Sequence, residues 1–154
     1  MSLELRPVNA ENWNTLIKLK VREDQKDFVA SNLYSIAEAQ FGFEEEGHWS
    51  LYPFGLYMQN EAVGFAMTGL NYAHSGFQGL ILRLMVDEKY QGKGYGRAAM
   101  QSMLETFRAD ECVNVVCITY EPENDPARKL YASIGFEETG EFIENEVVAL
   151  LRLR

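Results

Sequence analysis

Cysteine and histidine are scarce in this 154-residue chain, and each scarcity removes a class of chemistry. Cysteine occurs twice, as Cys112 and Cys117, around and within the apolar run 113–118. That spacing fits no zinc or dithiol signature and reads as two reduced, core-type thiols of a cytoplasmic protein. Histidine also occurs twice, as His48 and His74 in separate loop-like segments, so no metal site is expected. Basic residues are outnumbered, 14 Lys and Arg against 23 Asp and Glu, for a net charge of -9. A surface of that sign repels phosphates and excludes nucleic acid as a partner. It favours the approach of a small cation, and serves plain solubility equally well. No stretch nears the ~20 apolar residues that span a bilayer. Residues 1–8 (MSLELRPV) carry no basic region followed by an apolar run, so neither a membrane nor a secretory signal is expected.

Hydrophobic residues make up 47% and aromatics 12% of the chain. That is ample for a core and rules out general disorder. The length suits one domain, residues 1–154. No internal repeat or low-complexity linker interrupts it.

Hydrophobic periodicity gives a mixed order of elements. Residues 3–8 alternate as a strand stopped near Pro7. Asn9 can cap a helix over 11–21 with Trp13, Leu16, Ile17 and Lys20 at helical spacing. A second helix is expected over 28–41, burying Phe28, Leu33, Ile36, Ala37 and Phe41. A loop over 42–53 precedes two strands, 54–58 and 62–70, joined by a tight turn. A polar loop leads to the apolar strand 80–86, buried on both faces. A glycine-rich turn at 91–96 opens a helix over 97–109 whose inner face is Ala99, Met100, Met103, Leu104 and Phe107. Strand 113–120 follows. Pro126 suits the first turn of the next helix, which carries Ala127, Leu130, Tyr131 and Ile134 and ends at Gly135. Strands at 136–139 and 147–153 close the chain. The order predicts an α/β or α+β fold, one sheet with helices on its faces.

The most informative segment is 84–97, LMVDEKYQGKGYGR. Gly92, Gly94 and Gly96 lie between a buried strand and an amphipathic helix. Glycines there let a ligand approach the backbone closely, and the first helical turn offers unpaired N–H groups and the positive end of the helix dipole to a phosphate. Lys93 and Arg97 add local positive charge. Two phosphate loops are excluded. No glycine is followed by the Lys-Ser/Thr of a P-loop, and counting on from Gly92 and Gly94 puts Arg97 where a dinucleotide fingerprint needs its third glycine. The pattern is Q-x-x-G-x-G, from Gln91 to Gly96. A flexible turn with no ligand is the plain alternative.

Q-x-x-G-x-G after a hydrophobic strand ending in Val-Asp resembles the acetyl-CoA pyrophosphate loop of the GNAT N-acetyltransferases. A second segment agrees. NDPARKLYASIGF, from Asn124 to Phe136, is similar to that family's N-x-x-A-x-x-x-Y-x-x-x-G-F. Within the family the chain looks most like the bacterial spermine/spermidine (diamine) acetyltransferases. That likeness rests on QKDFVASNLYSIAEAQF from Gln25 to Phe41, on Gly55 to Met67, and on the ending G-E-x-x-x-x-E-V-V.

The resemblance implies the GNAT fold, a mixed and mostly antiparallel sheet flanked by helices, with acetyl-CoA as co-substrate. It implies that backbone groups of Leu84, Met85 and Val86 pair with the pantetheine arm like an added strand. The N–H groups of Gln91, Gly92, Lys93, Gly94, Tyr95, Gly96 and Arg97 would hold the pyrophosphate. Asn124 would bond the pantetheine and Ala127 line the cofactor side. Tyr131 would be the general acid that protonates the departing CoA thiolate, its alternative being a core aromatic. Backbone N–H near Met85 or Val86 would hold the oxyanion. Many relatives carry a carboxylate base on the strand before the loop, but the matching position here is Leu82. By residue type Glu121, Glu23 and Glu38 are candidates for the base, or solvated surface charges.

On the acceptor side the first helices offer Glu23, Tyr34, Glu38 and Glu44 to Glu46, suited to a polycation through charge pairing and cation–π contact, or an ordinary acidic surface. The expected reaction is transfer of an acetyl group to spermidine or spermine. Two readings stay open: another acceptor (an amino acid, an aminoglycoside or a protein amine), and a CoA-binding sensor without turnover. By analogy the chain is expected to form a homodimer, with the apolar ending 147–151 available to pair with a partner.

Overall fold

A computed structural model describes residues 2–28 and 31–154. The elements, in order, are β1 (Glu4–Pro7), α1 (Trp13–Leu16), α2 (Asn32–Ala39), β2 (Phe43–Glu44), β3 (His48–Met58), β4 (Glu61–Leu70), β5 (Gly79–Val86), α3 (Tyr95–Ala109), β6 (Val115–Tyr120), α4 (Asp125–Ile134), β7 (Glu137–Ile143) and β8 (Glu146–Arg152), with short 3₁₀ turns at Glu23–Phe28 and Glu88–Tyr90. The strands form one sheet in the order β1-β3-β4-β5-β6-β8-β7, with β2 paired to β3. The pairings are antiparallel except β5 with β6. This is the mixed α/β, mostly antiparallel architecture that the sequence predicts. Among the described residues no helix is long and apolar enough to cross a membrane.

Two cores lie on the two faces of the sheet. One contains Leu56, Ile81 and Ile118 of the sheet, Ala99, Met100, Met103, Leu104 and Phe107 of α3, and Tyr131 of α4. The other contains Leu16, Trp49, Leu51, Phe65, Met67 and Met85, with Ile36 and Ala39 of α2 packed against it. The α3 stripe is the one that its 3.6-residue period predicts.

Several boundaries differ from expectation, each for a visible reason. The helix predicted over 11–21 is α1 alone. Beyond it the backbone N–H of Lys20 donates to Asp87 Oδ1 (2.9 Å) and the Lys20 carbonyl accepts from Glu88 N–H, so groups a helix would use are bonded elsewhere. The helix predicted over 28–41 starts at Asn32, because Ser31 Oγ accepts the N–H of Tyr34 and caps it there. Leu33 and Phe41 are exposed, and Asn32 and Ser35 are buried instead. Asn32 Nδ2 donates to the Leu16 carbonyl and Ser35 Oγ accepts from Arg83, so this helix docks through polar groups. The side chain of Phe28 and residues 29–30 lie outside the described residues.

The loop predicted over 42–53 contains β2 and the first half of β3, where Trp49 is fully buried. The last hairpin turns at Glu144 and Asn145, both with positive φ, and β7 runs four residues past its expected end. It is exposed along its whole length, so no apolar alternation marks it. The ending 147–151 does not offer an edge to a partner: β8 is paired on both sides, with β6 and β7.

Candidate active site

The site begins with a break in the sheet. β5 and β6 pair only at Gly79↔Val116, Leu80↔Cys117 and Ile81↔Ile118, although β5 continues to Val86 and β6 to Tyr120. Against β4 the register passes from Thr68↔Ile81 to Met67↔Arg83, which leaves Leu82 as the extra residue of a bulge. Packing agrees: Ile81 and Leu84 join the core under α3 and α4, while Leu80, Leu82 and Met85 join the other. A bulge bends its strand, and here it turns β5 away from β6. The β6-facing edge beyond Ile81 is therefore left without a strand partner, the arrangement an extended ligand can complete.

The loop after β5 is fixed by side chains that reach its backbone. Asp87 is buried and accepts the N–H groups of Lys20 and Lys89. Gln91 donates through its amide to Gln25 Oε1 (2.8 Å) and to the Val86 carbonyl (3.0 Å). Gly92 and Gly94 then take φ of +79° and +82°, a left-handed region that costs other residues about 1–2 kcal/mol. A Cβ at either would meet nothing within 4 Å, so conformation rather than crowding calls for glycine. Gly94 caps α3 with no side chain to offer. The first backbone bond of the helix is Ala98 N–H to the Gly94 carbonyl, which leaves the earlier N–H groups of that turn for an anion.

The opposite wall is α4. Asn124 caps it, Oδ1 accepting the Ala127 N–H at 3.3 Å, with proline in the first turn. Tyr131 points inward, its ring 5.4 Å from that of Tyr120 and 6.2 Å from that of Phe136. Among the described residues its hydroxyl has no hydrogen-bond partner. Burial, and then the neighbouring Tyr120 and Glu146, push the phenol up to about 12, so at neutral pH it holds a proton to give and cannot serve as a base.

These pieces enclose a cavity of about 250 Å³ lined by Leu84, Met85, Val86, Gln91, Gly92, Gly94, Tyr95, Gly96, Asn124, Ala127 and Tyr131. Gln25 joins that lining; it opens the segment Gln25 to Phe41 of the sequence resemblance, but the sequence gives it no cofactor role. Lys93 is exposed and Arg97 Nη2 donates to Ser133 Oγ (2.9 Å). Neither lines the cavity.

A second cavity, of about 460 Å³, opens on the α2 side of the same break. Leu80, Leu82 and Arg83 of β5 and Cys117 and Thr119 of β6 border it, and five glutamates line it: Glu38, Glu44, Glu45, Glu144 and Glu146. Arg83 donates to Glu38 (3.2 Å), to Ser35 Oγ (3.1 Å) and to the Leu82 carbonyl (3.0 Å), which ties α2 to the bulge. The other sequence-derived acceptor residues stand apart. Glu23 is ion-paired with Lys26 at 2.6 Å in the exposed 3₁₀ turn, and Tyr34 is 61% exposed. Neither borders this cavity, nor does Glu121.

Two groups that suggest other chemistry do not fit it. Glu45, Glu46 and His74 bring ligand-type atoms within 4.8 Å of one another. The N–H groups of Gly76 and Phe77, however, both donate to His74 Nδ1 (3.1 Å each). The ring proton is then on Nε2, aimed at the two glutamates at 3.2 Å, and the lone pair a metal needs is absent there. Cys117 is buried, and its thiol is pushed up to about 12 by burial and by Glu45, so no thiolate nucleophile stands in the acidic cavity.

The sequence model of the Acetyltransferase (GNAT) family matches residues 13–136. The chain belongs to the GNAT acetyltransferase family. It is 30% identical over 146 residues to the spermine/spermidine N(1)-acetyltransferase of Bacillus subtilis (strain 168), covering 92% of this chain and 91% of that protein. Among solved structures the fold matches an aminoglycoside acetyltransferase AAC(6')-Ib in complex with coenzyme A (TM-score 0.76, 17% identity, 98% of this chain and 95% of that one). It also matches the Vibrio cholerae spermidine N-acetyltransferase in complex with CoA and spermine (TM-score 0.73, 17% identity, 99% and 96%). The GNAT fold uses acetyl-CoA as co-substrate. The residues present fit it: a free strand edge for an amide-bearing arm, two left-handed glycines before an uncapped helix for a pyrophosphate, and a protonated phenol on the opposite wall. The protein is therefore an acetyl-CoA-dependent N-acetyltransferase of the GNAT type.

Proposed function

We propose that this GNAT enzyme acetylates a primary amine of spermidine or spermine by direct attack on the thioester of acetyl-CoA, with residues 1–154 acting as one catalytic domain. The observation that carries the reading is the acidic cavity beside the break between β5 and β6. Five glutamates and Arg83 line it, a charge balance suited to a long polycation. The Bacillus subtilis relative, named for these amines, supports the choice of acceptor.

In this reading Leu84 to Val86 hold the pantetheine arm and the N–H groups at Gly92 to Arg97 hold the pyrophosphate. Direct attack agrees with a Cys117 thiol held protonated, which is then no nucleophile to carry the acetyl group. The amine nitrogen bonds to the acetyl carbon, the carbon–sulfur bond breaks, and Tyr131 protonates the departing sulfur.

The test is thiol release from acetyl-CoA with spermidine, spermine, kanamycin and a lysine-bearing peptide. We expect kcat/KM for the polyamines at least about tenfold above the others, a margin of ~1.4 kcal/mol. Turnover of kanamycin or peptide without polyamine turnover replaces the acceptor. No turnover on any amine, with coenzyme A bound, overturns the catalytic reading.

A further inference from the structure

An alkylammonium with a pKa near that of lysine, about 10.4, reaches the enzyme protonated and must lose a proton before attack. Position 82, where the family resemblance leads one to expect a carboxylate, is an apolar residue in the bulge. Five glutamates line the acidic cavity beside it, and partners and exposure separate them. Glu38 is ion-paired with Arg83. Glu44 and Glu45 have side chains 73% and 48% exposed and accept hydrogen bonds from the rings of His48 and His74. Glu144 is exposed at the tip of the last hairpin. Glu146 is half-buried, and its partner is a neutral hydroxyl, Thr119 Oγ1, which donates to Oε1 at 2.8 Å.

The sheet places Glu146 at the break. Thr119 follows Ile118, the last residue of β6 paired to β5. Across β8, Thr119 faces Val148 and Tyr120 faces Val147, so Glu146 stands one residue beyond the Tyr120 that packs on Tyr131. Its charge reaches the phenol and helps raise it. The same cavity wall thus carries the displaced Leu82 and, from across the break, a half-buried carboxylate with no cation paired to it among the described residues.

We propose that Glu146 is the general base, supplied from the start of β8 in place of an acid on β5. The inference rests on the acetyltransferase reading above. The nitrogen sheds two protons as the amide forms: one goes to the Glu146 carboxylate and on to solvent, and the other balances the proton that Tyr131 gives to the thiol. Thr119 is a positioning residue. Its hydroxyl occupies one carboxylate oxygen and leaves the other for the amine. Arg83, Glu38, Glu44, Glu45, Glu144, Cys117 and Tyr131 are the charged or titratable groups around this space.

The test is the pH profile of kcat/KM for spermidine from pH 6 to 10 in the wild type, Glu146→Gln and Glu146→Asp. Glutamine keeps the Thr119 hydrogen bond and the side-chain volume. We expect Glu146→Gln to lose about 10²-fold at pH 7 and its rate to rise about tenfold per pH unit as free amine appears. The two curves should converge near pH 9, about two units above the point of the hundredfold loss. Glu146→Asp keeps the flat wild-type profile at an intermediate rate. A loss of the same size at every pH, or a loss of less than about threefold at pH 7, overturns the proposal. If the wild type acetylates a different amine from the panel, the same profiles are taken with that amine, so that failure of the polyamine reading and failure of the Glu146 assignment are separate results. If it acetylates none, both fall.

Discussion

The two sides of the β5–β6 break are built on different plans. In the proposed reading the acetyl-CoA side draws on consecutive residues, 84–97 and then 124–131, and offers mostly backbone: a free strand edge, the N–H groups at the start of α3, and one phenol. The proposed acceptor side draws on side chains, and they come from α2, the β2–β3 segment and the last hairpin, separated by more than a hundred residues of chain. A backbone site constrains conformation, so it writes glycine and a fixed spacing into the sequence. A side-chain site constrains only where carboxylates end up, and different segments can deliver them. One side of such an enzyme can therefore keep its form while the other takes a new amine.

The largest expected effect bears on where the two sides meet. Tyr131→Phe should lower kcat by about 10²- to 10³-fold and leave KM for acetyl-CoA within about threefold, since the phenyl ring keeps its contacts with Tyr120 and Phe136. Because burial, Tyr120 and Glu146 push the phenol up to about 12, it should contribute no falling limb to the kcat profile up to pH 10. A limb near pH 9 that vanishes in the phenylalanine variant would show that the phenol titrates there. The shift also sets a stability window. The folded phenol holds its proton more tightly than the unfolded one, whose pKa is about 10. Its contribution is thus fully present below pH 10 and lost as pH rises toward 12. Urea midpoints at pH 8 and pH 11 should fall further for the wild type than for the variant.

A smaller effect separates the two sides. Valine at position 94 must adopt φ near +82° and puts its Cβ where no protein atom lies within 4 Å. The protein has room for the side chain, and a pyrophosphate at the helix start does not. Gly94→Val should raise KM for acetyl-CoA by about tenfold, ~1.4 kcal/mol, with KM for spermidine changed by less than about twofold. Equal rises in both would mean that the loop shapes the acceptor site as well.

This asymmetry explains what was legible in the sequence. The stripe of α3 and the inward Tyr131 of α4 follow from a 3.6-residue period, and the turn before α3 follows from its glycines. α1 and α2 defeat the same reading because their ends are set by distant partners: Asp87 takes the Lys20 N–H, and Arg83 draws Ser35 inward. β7 carries no pattern because neither of its faces is buried. In the candidate site, Glu146 is visible in the sequence only as the second glutamate of the ending G-E-x-x-x-x-E-V-V, with no role attached to it. The register of β8 on β6, which brings it beside Thr119, is what gives it a place that Glu144, two residues earlier, does not have.

That contrast between neighbours sets up the smallest prediction. Glu144 and Glu146 border the same cavity, but Glu144 sits at the hairpin tip with φ of +50°, exposed and, among the described residues, without an ionic partner. An exposed charge acts on a polyamine through a screened field, typically worth about 0.2–1 kcal/mol. Glu144→Gln should therefore raise KM for spermidine only about two- to fourfold and leave kcat and its pH dependence as they are. Salt tests the same field without a mutation. The screening length shrinks from about 10 Å at 0.1 M to 3 Å at 1 M, so KM for spermidine should climb with ionic strength in the wild type and less steeply in Glu144→Gln. A fall in kcat would place Glu144 in the proton path and dissolve its distinction from Glu146. An unchanged KM at every ionic strength would mean that the acidic cavity does not attract the amine, and would remove charge as the basis for assigning it the acceptor.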